Sequence, residues 1–258
     1  MHAGFARYFV PPPFELLGSN ALAGLANTTA APAVTQDSPI KAERSNYFDA
    51  GVSQVVIPGL TVGVDAFYKV SHDLIDEGQF GAPIILTVFN YKDGLQEGAA
   101  LTASYDHGPW SLYGNIYRER AVGKDIVSAQ FNFSLQELAF IANNDIHLDH
   151  EQAWSGSARI VYTLNRASDH STTFSIDALL QTGLSADNGL IPNGTATPAY
   201  GVVNLSVAQK LRTGTELRLD VLNVGDTVYE IRNGTGVGVG APQYGLRRTI
   251  LAGISQHF

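Results

Sequence analysis

Side chains of alternating polarity, repeated along most of this 258-residue chain, constrain its fold more than any other feature. The pattern is sharpest in the last fourteen residues, GLRRTILAGISQHF. There Ile250, Ala252, Ile254 and Phe258 fall on one side, and Thr249, Ser255 and His257 on the other. Leu251 is the one large apolar exception. A period of two is that of a β-strand. The same period recurs upstream. Leu60, Val62, Val64, Ala66, Tyr68 and Val70 oppose Thr61, Asp65, Lys69 and Ser71. Phe174, Ile176, Ala178 and Leu180 oppose Thr173, Ser175, Asp177 and Gln181. Leu217, Leu219 and Val221 oppose Glu216, Arg218 and Asp220. The segments 2–10, 41–54, 60–72, 95–107, 110–121, 150–165, 171–183, 199–212, 215–224 and 246–258 are predicted strands of an all-β antiparallel meander.

Most of these segments are longer than the ~5–6 residues usual in soluble strands, and match the ~9–11 needed to cross a bilayer at a tilt. Charged residues make up 16% of the chain, against roughly 25% in an average soluble domain, while apolar content is an ordinary 45%. Low charge without high hydrophobicity suits a membrane barrel, whose lipid-facing and lumen-facing residues alternate. The connections agree. Those at 55–59, 108–109, 166–170 and 213–214 are short, while those at 11–40, 73–94, 122–149, 184–198 and 225–245 are long and rich in Gly, Pro and Asn. Alternation of short and long is the topology of an outer-membrane barrel with tight periplasmic turns and extended outer loops. Ile250, Ala252, Ile254 and Phe258 are then the lipid-facing positions of a barrel-closing strand that ends in the periplasm. Asp65, Lys69, Arg159, Asp177, Glu216, Arg218 and Asp220 are the lumen-facing candidates.

Several function classes are excluded or unsupported. Cysteine is absent, which removes disulfides and thiolate metal sites. A net charge of −8 disfavours a nucleic-acid partner. The N-terminus, MHAGFARYFVPPPFE, carries no apolar signal-peptide core, and Met1 is the only methionine, as in a start assigned inside a longer reading frame. His147, Asp149, His150 and Glu151 crowd together like metal ligands. If a strand has begun there, three of them share one face, but a solvated loop-to-strand junction is the better reading. The glycine-rich Arg232–Pro242 stretch is followed by Pro and a strand rather than a helix, so it reads as a flexible outer loop and not a phosphate cradle. Tyr8, Phe9, Phe14, Tyr47, Phe48, Phe89, Tyr91, Trp110, Tyr113, Tyr117, Trp154 and Tyr162 lie mostly near strand ends, as an interfacial girdle would. Residues 134–144 (SLQELAFIANN) read as a short helix capping an outer loop. Asp76 and Glu77 are placed in a loop, no catalytic set is recognisable, and neither an enzymatic activity nor a cofactor is expected.

Several blocks, taken in order, resemble the C-terminal barrel portion of a TonB-dependent outer-membrane receptor. They are HAGFARYFVPPPFE, KAERSNYFDAGVSQ, PGLTVGVDAFYK, LIDEGQFGAP, LTASYDHGPWSLYGN, PAYGVVNLSVAQ, ELRLDVLNVGDTVYEIRNGTGVG and APQYGLRRTILAGISQHF. The resemblance implies a place in a 22-stranded barrel around an N-terminal plug, taking up a scarce ligand (an iron chelate, cobalamin or a sugar) with energy relayed by TonB. It also implies partners: outer-membrane lipid, the plug and remaining barrel, through them TonB, and the outer-membrane assembly machinery. The sequence departs from the family pattern in having no signal peptide, TonB box or plug, and somewhat less than half of the barrel. TonB-coupled transport by this chain alone is therefore not expected. A small self-closed porin-like barrel and a soluble carbohydrate-binding or adhesive β-sandwich are the rival readings; no ligand-contact residue can be assigned.

Overall fold

The computed structural model describes residues 1–13, 31–80, 85–149, 151–187, 191–234 and 241–256. Ten strands form one antiparallel meander in which each pairs with the next in sequence, and the two-residue segment Ile146–His147 adds an eleventh member beside the fifth. The ten are β1 (His2–Val10), β2 (Glu43–Ile57), β3 (Leu60–Phe80), β4 (Ile85–His107), β5 (Trp110–Ile126), β6 (Trp154–Leu164), β7 (Thr172–Gln181), β8 (Tyr200–Lys210), β9 (Thr215–Leu222) and β10 (Thr249–Gln256). Among the described residues β1 pairs only with β2 and β10 only with β9, so the sheet does not close on itself.

The hairpin ends are made by residues that tolerate reversal. Pro58–Gly59 joins β2 to β3 with Gly59 at φ +87°, where an added Cβ would lie 2.5 Å from the Asp106 carbonyl oxygen. Gly214 at φ +78° does the same between β8 and β9. At this end the turns are short; the opposite end carries the long connections.

Four strand boundaries differ from expectation in an instructive way. β3, β4 and β5 run on to Phe80, back to Ile85 and out to Ile126, so most of the expected 73–94 loop is paired strand. The register Leu74↔Tyr91 through Phe80↔Ile85 holds on both sides of Asp73. Asp73 sits at φ 54°, a left-handed kink that interrupts alternation without ending pairing, which is why the sequence reads as a loop there. Asp76 and Glu77 consequently lie in β3, not in a loop. Conversely, 151–153 is not strand: β6 begins only at Trp154, and residue 150 lies outside the described residues.

These extensions stand on a packed core at the long-connection end. Leu74, Phe89, Tyr91, Ala121, Ile126, Phe131, Ile141, Ile146 and Leu148 are all buried there. Phe89 meets Tyr91 and Phe133 edge-on, at 5.0 and 4.9 Å between ring centroids. Phe89 and Tyr91 are only 3% and 2% exposed, so they belong to this core and not to an interfacial girdle. The expected helix is present as α1 (Leu135–Ile141). Ser134 caps it by accepting from the Glu137 amide, while the Glu137 carboxylate accepts from the Ser134 amide. Its Ile141 is completely buried in the core.

One side chain ties the connections to the strands. The amide of Asn90 on β4 is wholly enclosed, and each of its groups is satisfied. Its Nδ2 donates to the carbonyls of Lys41 and Asp73 at 3.0 and 2.7 Å. Its Oδ1 accepts from the Lys41 amide and the Ser128 hydroxyl, both at 2.8 Å. Its own backbone amide donates to Ser128 Oγ at 2.7 Å. The Asn90→Ala substitution strands several buried partners, and is expected to cost about 3 kcal/mol, since each orphaned buried group costs roughly 1–3 kcal/mol. The exposed Asn143→Ala should stay within about 0.5 kcal/mol. Urea unfolding in lipid vesicles, followed by tryptophan fluorescence, measures both; equal midpoints for the two variants would remove Asn90 from this role.

Candidate functional site

The register determines what each face of the sheet carries. Leu60, Tyr105, Leu112, Ile160, Ile176, Leu205, Val221 and Ile250 pair in succession from β3 to β10, forming an unbroken apolar rung across eight strands. Val52, Val64, Leu101 and Ile116 continue the same face through β2 to β5. Leu60, Tyr105, Leu112 and Val221 are half-buried; the rest of these side chains are exposed, with Ile250 at 66% and Ile254 further along its strand at 75%, and no second sheet covers them among the described residues. Ile250, Ala252 and Ile254 lie on this face, opposite Val221, Leu219 and Leu217. Phe258 falls outside the described residues, and Leu251 pairs with Asp220 on the other face.

All seven charged candidates share that other face. Asp65 pairs with Ala100, which pairs with Tyr117; Tyr113, four residues back along the same strand and on the same face, pairs with Arg159 and through it with Asp177. Asp177 pairs with Asn204, whose neighbours Ser206, Ala208 and Lys210 pair with Asp220, Arg218 and Glu216. Lys69 lies four residues from Asp65 on the same side and pairs with Tyr47. Several of these charges are compensated locally. Arg159 Nε is 3.4 Å from Asp177 Oδ1, and Arg218 Nε is 2.9 Å from Asp220 Oδ2. Lys69 Nζ reaches the buried Glu43 carboxylate at 2.8 Å, and Asp65 lies 3.7 Å from His2. Glu43 also accepts from Ser45, Ser71 and the Ile75 amide, so it is a fully engaged node at the base of the extended β3 arm. Periodicity places the charges on a face; it carries no signal for Glu43 or Asn90, whose partners are far away in sequence.

The remaining motifs resolve into structural roles. Glu151 is buried and accepts from His147 Nδ1 at 2.6 Å and from the Ala121 amide at 3.1 Å. His147 and Glu151 therefore do not share the face of a continuous strand; a turn through Leu148 and Asp149 brings them together. His150 lies outside the described residues, and no metal-ligand cluster occurs among the described ones. Of the glycine-rich stretch only Arg232–Gly234 and Ala241–Pro242 are described. The flanking pairs Glu230–Arg232 and Gln243–Tyr244 form a small ladder. A cleft of about 180 Å³ at the long-connection end is lined by Asp76, Glu77, Glu137, Asp149 and Asp187, with Phe89 and Tyr91 at its wall.

Aromatic rings mark both ends of the apolar face. Trp110 stands 4.7 Å from Tyr162 at the short-turn end. Trp154 is paired with Arg118, eight residues further along β5, and the Arg118 guanidinium lies 5.5 Å from its ring centroid. Eight residues span about 27 Å along a strand, or roughly 20 Å of height at a ~40° tilt, close to the ~25 Å apolar band of a transmembrane barrel. Phe5, Phe48 and Tyr68 form an exposed row at the Trp154 end.

The connection after β9 is clamped by two groups. Asn223, 2% exposed, holds Thr227 and Leu246 through its side-chain amide. Asp226 forms a fork with Arg247 at 2.8 and 2.6 Å and accepts from the Arg248 amide at 3.0 Å. The Arg247 hydrogen bonds, and then the Arg248 amide, hold the Asp226 carboxyl well below the usual carboxylate range.

With this geometry in view, comparison with known proteins identifies the class. Residues 1–224 match the family model described as TonB dependent receptor-like, beta-barrel. The chain belongs to that family, one of outer-membrane receptor barrels. Among solved structures it is similar to the copper transporter OprC (18% identity, TM-score 0.63, covering 98% of this chain and 36% of that one). It is likewise similar to the ferric-catecholate import receptor Fiu of E. coli K12 (19% identity, TM-score 0.61, 99% and 32%). A third is the ferric yersiniabactin uptake receptor FyuA of Yersinia pestis (14% identity, TM-score 0.61, 98% and 33%). At these identities the likeness concerns the fold, and the chain spans about a third of the length of each. No curated protein matches.

Two predictions follow the faces and the clamp. Leu101→Arg on the apolar face is expected to destabilise insertion into vesicles by about 2–4 kcal/mol, as a cation at mid-bilayer depth does. Ser104→Arg, on the same strand but the opposite face, is expected to cost less than about 1 kcal/mol, because that face is hydrated. Equal costs would dissolve the distinction between faces. Because the folded carboxyl of Asp226 is depressed, its clamp contributes above the ordinary value of 3.8 and is lost only as pH falls through the lowered value. The Arg248 amide should keep its hydrogen-exchange protection from pH 7 down to pH 4. Asp226→Asn should reduce that protection throughout the range.

Proposed function

We propose that this chain forms part of the barrel wall of a TonB-dependent outer-membrane receptor and works there as a non-catalytic element of ligand uptake. In this reading the apolar rung faces lipid, and Asp65, Lys69, Arg159, Asp177, Glu216, Arg218 and Asp220 face the lumen, against the plug of the intact receptor. The carrying observation is the unbroken apolar rung from Leu60 to Ile250, with these charges confined to the opposite face. An exposed apolar surface of that extent is stable in hydrocarbon and a liability in water. The absence of a second sheet over it among the described residues weighs against a soluble sandwich, which needs one to bury its core.

Among the described residues no strand pairs the outer edge of β1 or of β10, and a backbone group left unpaired costs several kcal/mol in lipid. The remaining barrel strands of a complete receptor supply the pairing, and the plug carried with them provides the contact through which TonB delivers energy. The outer-membrane assembly machinery inserts the whole. Copper, ferric-catecholate and ferric-yersiniabactin transporters share the fold, which supports a chelated metal as the class of cargo. The long connections, with the acidic cleft among them, are the parts positioned to meet it.

The test is complementation. Cells lacking the complete receptor and expressing these 258 residues alone should take up no more ferric chelate than empty-vector cells. Co-expression with a plug and N-terminal barrel segment should restore uptake, together with heat-modifiable mobility on gels. Uptake by the chain alone, or solubility without detergent, would overturn the proposal.

A further inference from the structure

The apolar face carries a depression on β5, β6 and β7. Ile116, Trp154, Gly156, Ala158, Ala178 and Leu180 line a groove of about 510 Å³, within the ~300–1,000 Å³ range that holds a small organic ligand. The register explains it. Gly156 sits between Ile116 and Leu180, and one rung nearer the short turns Gly114, Ala158 and Ala178 follow each other across three strands. Large side chains return at the next rung, Leu112, Ile160 and Ile176, so the dent is closed below and open above.

Above it stand Trp154 and Arg118, at the long-connection end of the aromatic-bounded band. Arg118 is exposed, and no ion pair to it occurs among the described residues; its guanidinium rests against the indole. Its neighbour Arg120 is already compensated, by Glu97 at 3.8 Å and Asp145 at 3.4 Å. An uncompensated cation at headgroup depth over an apolar slot is complementary to a molecule with an anionic head and a hydrocarbon tail.

We propose that this groove is a specific binding site for one anionic, phosphate-bearing membrane lipid. The acyl chain lies over Gly156, Ala158 and Ala178, and the phosphate sits against Arg118. The inference rests on the apolar face being the membrane face.

The full chain in non-ionic detergent, offered equal amounts of phosphatidylglycerol and phosphatidylcholine, is examined by native mass spectrometry. One phosphatidylglycerol per chain should be retained in preference to phosphatidylcholine, by about fivefold if one arginine contributes roughly what a cation does at an anionic surface. Arg118→Gln should abolish the preference while leaving weak retention of both lipids. Ala178→Leu, which fills the slot, should reduce retention of both, and Ala158→Leu provides a second filling variant should the first lose the strand circular-dichroism signal of the unmodified chain. Unchanged retention in Arg118→Gln and in a folded filling variant would overturn the site. So would displacement of the lipid by inorganic phosphate, or a dimer that the filling variants abolish, which would assign the groove to a second copy. Failure of the unmodified chain to associate with vesicles would instead remove the membrane reading, and the site with it.

Discussion

Cross-strand register is the constraint on which the rest of this structure depends. Because side chains alternate with a period of two, slipping any strand by one residue would turn its whole apolar set to the other face. Nine consecutive pairings keep Leu60, Ile160, Ile176 and Ile250 on one side and Asp65, Arg159, Asp177 and Arg218 on the other. The tight turns at Pro58–Gly59, Gly108–Pro109 and Thr213–Gly214 fix that register from one end. The ladder hydrogen bonds satisfy the backbone within the sheet, as passage through hydrocarbon requires.

The opposite end is organised by different physics. There β3, β4 and β5 extend past the band bounded by aromatics, and alternation gives way to a packed core around Ile141, Phe89 and Tyr91. Polar nodes hold the connections onto it. Asn90 joins the segment before β2 to the kink at Asp73 and to the start of the connection after β5, and Glu43 and Glu151 do similar work nearby. Each node is buried and satisfied, the condition under which a polar group rigidifies a structure instead of weakening it. By contrast, pairs such as Arg159–Asp177 are partly exposed, and such pairs are worth roughly 0–1 kcal/mol each. Their main effect is to balance charge along a hydrated face.

Much of the wall was legible before any coordinates. The ten strands, the meander and the short-turn end follow from local pattern, namely period two with Gly and Pro at reversals, and the helix falls within the 134–144 stretch read as one. The extended β3–β4 arm was not legible, because Asp73 and the Asp93–Gly94 pair read as loop while backbone pairing continued through them. Phe89 and Tyr91 looked like interfacial aromatics because strand position is local information, whereas burial beneath a distant helix is not. The His147–Glu151 segment read as a solvated loop-to-strand junction because proximity in sequence does not reveal that a turn folds the Glu151 carboxylate inward.

The sequence by itself determined which residues can face hydrocarbon and which must face water, since that is written in alternation and needs no knowledge of neighbours. Tertiary structure alone decided which strands stand beside each other in what register, and so which side chains meet. That is why the apolar rung, the Asn90 node and the groove beneath Arg118 appear only in three dimensions. Each joins residues tens of positions apart, and no local propensity encodes a contact of that range.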